Sequence, residues 1–342
     1  MNILLTGNKG YIGTVLCDIL IKKSYKVIGY DIDYYSDCYL DDFTKPTRQI
    51  IKDTRDIGIE DLDGIDVIIH LAALSNDPLG ELHPDLTKEI NYDATIKIAK
   101  LAKKVGVKRF VYASSQSMYG VSNTTDELDE DNSEKNPVTT YARTKWEAEK
   151  ELKKISTDDF LVVCFRPSTV FGESPKLRCD IVYNNFVANA FTTGKIVIKS
   201  DGTPWRPVVH VKDVCKAFIA GIEAPKELVA NQSYNVGISN GNYTVRELAE
   251  AAQRVVLGST LTFTNEHNDS RTYKVSFKKI LSELKDYFKP EYDLIRGGSE
   301  LIEFFNKINF NSDVFNGRKV NRLRQLQYLI KKGEINKDLR RF

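Results

Sequence analysis

The segment Gly7-Asn8-Lys9-Gly10-Tyr11-Ile12-Gly13 constrains the fold of this 342-residue chain more than any other feature. It follows the apolar run NILLT and opens an amphipathic segment over residues 11–22. Glycines at this spacing permit a tight turn and a close approach of backbone to a pyrophosphate, and a helix N-terminus adds amides and partial positive charge. The context predicts a dinucleotide-binding loop, whose cofactor contacts we assign to Gly7, Gly10, Tyr11, Ile12 and Gly13.

Strand and helix patterns alternate through the first half of the chain. The apolar runs are rich in Val, Ile and Phe and bounded by turn residues: NILLT, KVIGYD, QIIKD, DVIIHLA, RFVYAS and FLVVCFR. Helical spacing covers residues 11–22, 84–105 and 139–155 between them. This alternation implies crossover connections. The sequence therefore predicts an α/β fold with a doubly wound parallel sheet of the Rossmann type.

The regular alternation of strand and helix patterns ends at about residue 171. This change predicts a smaller C-terminal α/β domain that binds the substrate. Helical patterns cover residues 180–193, 210–224, 242–256 and 278–284, and Thr244 and Glu247 are spaced as a capping box. We expect residues 1–172 to form the dinucleotide-binding domain, with 206–237 returning to it. Residues 173–205 and 238–342 would form the substrate-binding domain, which would close over the carboxyl edge of the sheet.

Composition and charge narrow the class of protein. A formal net charge of +2 does not indicate a nucleic-acid binder, and the chain lacks the long apolar window of a membrane span. Five cysteines without paired spacing predict reduced thiols in a cytoplasmic protein and no metal site. The last 25 residues, from Arg318, hold nine Lys or Arg against two acids. Such a tail can contact a membrane or nucleic acid, but we expect it to dock on its own chain or a sister subunit.

The second strand ends at Asp31, which predicts the choice of cofactor. An acid at this position accepts hydrogen bonds from both adenosine ribose hydroxyls and repels a 2′-phosphate. No arginine follows in Ile32-Asp33-Tyr34. The sequence therefore favours NAD over NADP.

Tyr141 and Lys145 are four residues apart on a predicted helix and share one face. An ammonium about 4 Å from a phenol would favour the phenolate by roughly 4 kcal/mol at an effective dielectric constant near 20. Since one pKa unit is about 1.4 kcal/mol, a tyrosine pKa near 10 could move toward 7. A phenolate poised in this way can take a proton from a hydroxyl.

Together these motifs resemble the extended short-chain dehydrogenase/reductases, in particular the NAD-dependent nucleotide-sugar epimerases and dehydratases. The resemblance covers nearly the whole chain. It rests on GNKGYIG, Asp31, HLAAL at 70–74, SSQSMYG at 114–120, YARTK at 141–145, RPSTVFG at 166–172 and RPVVHVKD at 206–213.

The resemblance implies roles for individual residues. Ser115 would hydrogen-bond the reacting sugar oxygen, Tyr141 would be the general base, and Lys145 would hold the nicotinamide ribose. Further cofactor contacts implied by the resemblance are Asp53 and Thr54 at the adenine, Leu71, Ala72 and Ala73 beneath the cofactor, Asn91 near the nicotinamide, and Pro167 and Val170 at the carboxamide.

The positions after Ser115 bear on the reaction. The sugar 4,6-dehydratases that this chain resembles carry Asp and Glu at the two positions after the serine. This chain carries Gln116 and Ser117 at those positions, and neither side chain titrates usefully. This counts against elimination of water. Gln116 and Ser117 are candidate substrate contacts, although Gln116 could equally pack as a loop amide.

We expect the protein to bind its substrate through a nucleotide diphosphate group. Asn185 could donate to a phosphate, and Arg206 and Arg271 resemble the arginines with which the family pairs it. The chain is also expected to be a homodimer, as family members commonly are.

The resulting expectation is a nucleotide-sugar epimerase with tightly held NAD, acting at C4 through a transient keto sugar. A nucleotide-4-keto-sugar reductase that consumes NADH would use the same residues and is the first alternative. A dehydratase and a non-catalytic NAD-binding protein are the others.

Overall fold

The computed structural model describes residues 1–75, 83–122, 126–264 and 272–341. A seven-stranded parallel sheet forms its centre, in the order β10-β6-β5-β4-β1-β2-β3. The strands of this sheet are β1 (Asn2–Thr6), β2 (Lys26–Asp31), β3 (Arg48–Ile51), β4 (Val67–His70), β5 (Arg109–Ala113), β6 (Leu161–Pro167) and β10 (Gln232–Val236). The predicted doubly wound Rossmann-type sheet is confirmed.

Helices cover both faces of the sheet, because successive strand residues point to opposite sides. Ile3 and Leu5 face a core shared with the helices over residues 11–22 and 211–223, whereas Leu4 faces a second core shared with the helices over residues 94–104 and 140–155. The helices of the first half are α1 (Tyr11–Lys22), α2 (Pro84–Lys88), α3 (Ala94–Lys104) and α4 (Thr140–Ile155). A π-helical turn over Glu89–Asp93 joins α2 to α3, and short 3₁₀ helices cover Thr54–Asp56, Ile59–Leu62 and Gln116–Tyr119.

The second half contributes both to the central sheet and to a separate core. Strand β10 lies within residues 206–237 and pairs in parallel with β6, so this part of the chain joins the central sheet. The helices of this half are α5 (Val182–Thr193), α6 (Val211–Glu223), α7 (Lys226–Val229), α8 (Val245–Val255), α9 (Lys278–Glu283), α10 (Leu294–Lys307), α11 (Ser312–Asn316) and α12 (Arg322–Lys332). The Thr244–Glu247 capping box is present at the start of α8.

Smaller sheets complete the second half. Strands β7 (Thr169–Phe171), β9 (Trp205–His210) and β11 (Asn242–Thr244) form one, and β8 (Lys195–Ile198) pairs with β12 (Thr260–Phe263). Phe171, Tyr183, Leu248 and Phe305 belong to the buried core between these strands and α5, α8 and α10. The proposed division of the chain into two domains stays a prediction.

The basic C-terminal tail docks on its own chain. Leu326 and Leu329 of α12 pack with Tyr34, Leu74 and Ile90 in a fourth apolar cluster. Among the residues that the structure describes, no helix is long and apolar enough to cross a membrane.

Candidate active site

The glycine loop forms a cradle that requires glycine at two positions, Gly7 and Gly13. Gly7 adopts a φ of +73°, and a Cβ there would lie 2.8 Å from the amide nitrogen of Ala72. A Cβ on Gly13 would lie 2.1 Å from the carbonyl oxygen of Gly7. Gly10 is the N-cap residue of α1 and, as a glycine, offers no side chain to the first helical amides. The loop therefore fits a dinucleotide pyrophosphate at the positive end of a helix.

Tyr11 anchors this loop to the second half of the chain. Its hydroxyl donates to the carbonyl of Gly172 at 2.7 Å and accepts from Asn184 at 3.2 Å. Asn184 also accepts from the amide of Gly172 and donates to the carbonyl of Arg178. Burial raises the pKa of Tyr11, so the phenol stays neutral. No local spacing in the sequence points to the bond between Asn184 and Tyr11, because the two residues are remote along the chain.

Asp31 lies at the carboxyl end of β2, as predicted. Its two carboxylate oxygens accept from the amides of Lys9 at 3.0 Å and Asp33 at 2.8 Å. Each carboxylate oxygen has two lone pairs, so each can accept a further hydrogen bond. Burial raises the pKa of Asp31 despite these bonds. The arrangement fits a pair of ribose hydroxyls.

Asp53, the predicted adenine contact, already has cationic partners. Its carboxylate accepts from the backbone amide of Arg55 at 2.9 Å and from the Arg55 guanidinium at 2.6 Å. Arg340 lies 3.5 Å away. Asp53 and the neighbouring Thr54 are both buried. The side chain of Asp53 therefore holds two arginines.

The loop after β4 is fixed by buried polar groups. The amide of Leu71 donates to the carbonyl of Thr6, and the amide of Ala72 approaches the Thr6 hydroxyl at 3.4 Å. Asn91, predicted near the nicotinamide, is buried and bonds both the amide and the carbonyl of Leu74. It thereby positions the loop that carries Leu71, Ala72 and Ala73.

Tyr141 and Lys145 lie on the first two turns of α4, whose N-cap is Thr139. The Lys145 ammonium is buried, donates to the carbonyl of Ala113 at 2.8 Å and lies 4.8 Å from the Tyr112 ring centroid. Burial lowers the pKa of Lys145 to about 7. Tyr141 is half-buried one turn earlier on the same face. The helix thus places the Lys145 side chain at the carboxyl end of β5, with Tyr141 one turn earlier on the helix.

Ser115 and Ser117 lie at the same edge. Ser115 is the N-cap of the 3₁₀ helix Gln116–Tyr119 and accepts from the amide of Ser117 at 3.2 Å. The two serine hydroxyl oxygens are 2.8 Å apart. Both serines are half-buried, in contrast to Gln116 between them.

Gln116 points into the fold. Its amide donates to the carbonyl of Arg166 at 3.0 Å and accepts from the Ser168 hydroxyl at 3.1 Å. The side chain also reaches the carbonyl of Val236 at 3.5 Å. Gln116 is only 1% exposed, an environment that matches the loop-amide alternative, and its contact with the substrate stays a prediction.

A buried ion pair lies beneath this corner. Glu149 and Arg166 have side-chain exposures of 0% and 2% and approach to 2.6 Å. Ser114 and Ser233 each donate a hydroxyl to the Glu149 carboxylate. Burial alone would raise the pKa of Glu149, but the charge and hydrogen bonds of Arg166 hold it below its usual value. This pair ties β5, α4, β6 and β10 together.

The remaining candidates are dispersed or lie outside the described residues. Pro167 and Val170 lie half-buried at the carboxyl end of β6 and in β7. Asn185 donates to the carbonyl of Cys179 at 2.9 Å, and Arg206 to that of Trp205 at 2.8 Å. Arg271 lies outside the described residues. Within the described ranges, no group of three His, Cys, Asp or Glu residues could hold a metal ion.

Known proteins share both the sequence pattern and the fold. The model of the NAD dependent epimerase/dehydratase family matches residues 3–237, more than half of the chain. A putative UDP-glucose 4-epimerase of Methanocaldococcus jannaschii is 26% identical over 324 residues, which cover 90% of this chain and 99% of that relative.

Two solved structures illustrate the likeness in fold. MoeE5 in complex with UDP-glucose and NAD is 24% identical with a TM-score of 0.76, covering 90% of this chain and 99% of its own. TunA, an NAD-dependent NDP-hexosamine 5,6-dehydratase, is 19% identical with a TM-score of 0.77, covering 91% of this chain and 100% of its own. At these identities the two structures show the fold alone.

Proposed function

The chain belongs to the NAD-dependent epimerase/dehydratase family, and from this premise we propose that it is a nucleotide-sugar epimerase acting at C4. The glycine loop and Asp31 would hold NAD, which would supply a hydride acceptor and donor for the sugar carbon. The phenolate of Tyr141 accepts the proton of the sugar hydroxyl. Ser115 holds the same sugar oxygen. Lys145 binds the nicotinamide ribose and, in its protonated form, supplies positive charge beside Tyr141.

The environment of Gln116 carries this proposal. A dehydration needs a proton donor and a proton acceptor beyond the group that works at the carbinol. At the two positions after Ser115, the chain offers a buried amide held by Arg166 and Ser168 and a hydroxyl on Ser117. Neither group titrates usefully. The corner is therefore equipped for oxidation and reduction at a carbinol rather than for elimination.

The carbon and the substrate class rest on similarity. The Methanocaldococcus jannaschii relative is a putative UDP-glucose 4-epimerase and matches this chain over nearly its whole length. We therefore propose a uridine diphosphate sugar as the first substrate to test, with the diphosphate held by Asn185, Arg206 and Arg271. The homodimer stays a prediction, which sedimentation analysis would test.

The test uses a panel of UDP-, GDP-, CDP- and dTDP-sugars with NAD far below the sugar concentration and products identified by NMR. Many turnovers per NAD with an inverted C4 and no net NADH are expected. NADH loss matched one to one with reduction of a supplied 4-keto sugar would instead identify a reductase. A deoxy-keto product would identify a dehydratase.

Tyr141→Phe separates catalysis from binding. It removes the proton acceptor and should lower turnover by about 10³-fold, within the usual range for general-base catalysis. Tyr287→Phe, at a tyrosine that is 39% exposed, is the matched control and should leave turnover unchanged. Full turnover in Tyr141→Phe would contradict the assignment.

A further inference from the structure

The C-terminal segment runs back over the carboxyl ends of β2 and β3. Helix α12 ends at Gly333, whose left-handed conformation turns the chain, and residues 334–341 follow. Leu339 adopts a φ of +53°, which is uncommon for a branched side chain. Such a conformation persists only where surrounding contacts hold it. The contacts of this segment are therefore the place to look for its role.

At the end of β2 the segment grips the residues directly after Asp31. Arg341 donates to the carbonyls of Ile32 at 3.2 Å and Asp33 at 2.6 Å. The Tyr34 hydroxyl donates to the carbonyl of Leu339. The chain terminus thus lies beside the carboxylate that fits the adenosine ribose.

At the end of β3 the segment meets Asp53 and Arg55. Arg55 donates to the carbonyls of Asp338 at 3.0 Å and Leu339 at 3.4 Å. In return, Arg340 lies 3.5 Å from the carboxylate of Asp53 and also pairs with Asp56. The two arginines and the terminal backbone therefore form one connected set with Asp53.

Apolar contacts seal the same region. Leu339 and Ile335 are buried against Tyr34 and Leu74, the latter in the loop after β4. The segment consequently spans the ends of β2, β3 and β4. In open α/β sheets a dinucleotide binds at this edge, and Asp31 marks its adenosine end.

We infer that residues 334–341 form the outer wall of the adenosine end of the NAD site and must undock before NAD can leave. Arg340 and Arg341 are positioning residues, since they act through Asp53 and through the backbone of Ile32 and Asp33. The glycine cradle and Asp31 hold the cofactor from beneath, and this segment closes it from the outside. NAD would then stay bound through many turnovers.

The experiment measures the dissociation of NADH from the full-length protein. The protein is loaded with NADH and chased with excess NAD⁺, and the loss of NADH fluorescence gives the dissociation rate. The double variant Arg340→Ala, Arg341→Ala loses several hydrogen bonds of the wall, each about a fivefold effect, so the rate should rise about tenfold or more. Lys337→Ala, at an exposed lysine of the same segment, is the control and should stay within about twofold of wild type.

A second variant ends the chain after Gly333. It removes the wall while leaving α12 in place, and its dissociation rate should exceed that of the double variant. Should the truncated chain fail to fold, the double variant alone decides. An unchanged dissociation rate in the folded variants would overturn the inference. A faster association with unchanged dissociation would overturn it too, because it would mean that the segment fills the adenosine site instead of enclosing it.

Discussion

The two ends of the proposed cofactor site are built in opposite ways. At the reaction end, Lys145, Gln116, Glu149 and Arg166 are buried and bonded within the fold. At the proposed adenosine end, closure depends on residues 334–341, where the Arg340 side chain is 35% exposed. Buried polar networks are rigid when every member is satisfied. Residues 334–341 combine the buried Ile335 and Leu339 with the partly exposed Arg340, so this segment has fewer fully buried polar contacts and opens more easily than the reaction end.

This contrast suits the two tasks. Proton and hydride transfer need groups held close to their working geometry. Cofactor loading needs a part of the site that can open without unfolding the rest. We therefore expect changes at the reaction end to lower stability strongly, and changes at the adenosine end to alter exchange with little effect on stability.

Glu149→Ala should have the largest effect on stability. It leaves the Arg166 guanidinium buried without its carboxylate, which costs about 3–5 kcal/mol. Urea denaturation followed by circular dichroism measures this loss. Glu147→Ala, at an exposed position of the same helix, is the control and should stay within about 0.5 kcal/mol. A loss below about 1 kcal/mol for Glu149→Ala would show that the reaction end is not rigidly held.

Gln116→Glu tests whether this position belongs to the scaffold or to the chemistry. The substitution replaces the amide NH2 that donates to the carbonyl of Arg166 with a carboxylate oxygen, so two acceptors face each other. It should lower the free energy of unfolding by about 2–3 kcal/mol. Gln327→Glu, at an exposed position, is the matched control. A stable Gln116→Glu enzyme that forms deoxy-keto sugar would place Gln116 in the reaction after all.

Lys145 predicts a pH dependence of stability in the cofactor-free protein. Burial lowers its pKa to about 7, against about 10.4 for an unfolded lysine. Between these values the unfolded chain binds more protons than the folded one, so stability rises with pH. The contribution of Lys145 is about 1 kcal/mol per pH unit between about pH 7 and 8.5.

Lys145→Met isolates this contribution. Burial also lowers the pKa of Lys176, to about 8, so the wild-type slope contains both lysines. The difference in slope between wild type and Lys145→Met reports Lys145 alone, and Lys150→Met on the exposed face of α4 is the control. Equal slopes in wild type and Lys145→Met would mean that Lys145 keeps its charge in the folded protein.

Local spacing explains why much of the reaction end could be predicted from the sequence. Tyr141 and Lys145 share a helix face at four residues' separation, and Asp31 ends a strand whose apolar pattern is plain. The direction of the Gln116 side chain is harder to predict from the sequence. Strand alternation stops at Ala113, and the following 3₁₀ helix turns the amide inward.

Remote contacts explain what the sequence could not show. Glu149 meets Arg166 only because α4 packs beside β6, and Asn184 meets Tyr11 across the two halves of the chain. The sequence predicts that the basic tail docks on the protein, but no periodic pattern indicates that Arg340 contacts Asp53. Such pairings depend on the assembled fold, in which residues from the two ends of the chain meet at one sheet edge.

Arg340→Ala should have the smallest effect on stability and is the sharpest test of the contrast. Its side chain is partly exposed and pairs with Asp53, Asp56 and Glu89, so its loss should cost less than about 1 kcal/mol. NADH should nevertheless dissociate faster, because the wall loses an anchor. Arg340→Lys is the matched control, because lysine keeps the positive charge but lacks the planar guanidinium that contacts all three carboxylates. The rate at which NADH dissociates from this variant should fall between those of wild type and Arg340→Ala. A loss of several kcal/mol in Arg340→Ala would show that the terminus is part of the rigid core, and the two ends of the proposed cofactor site would then be built alike.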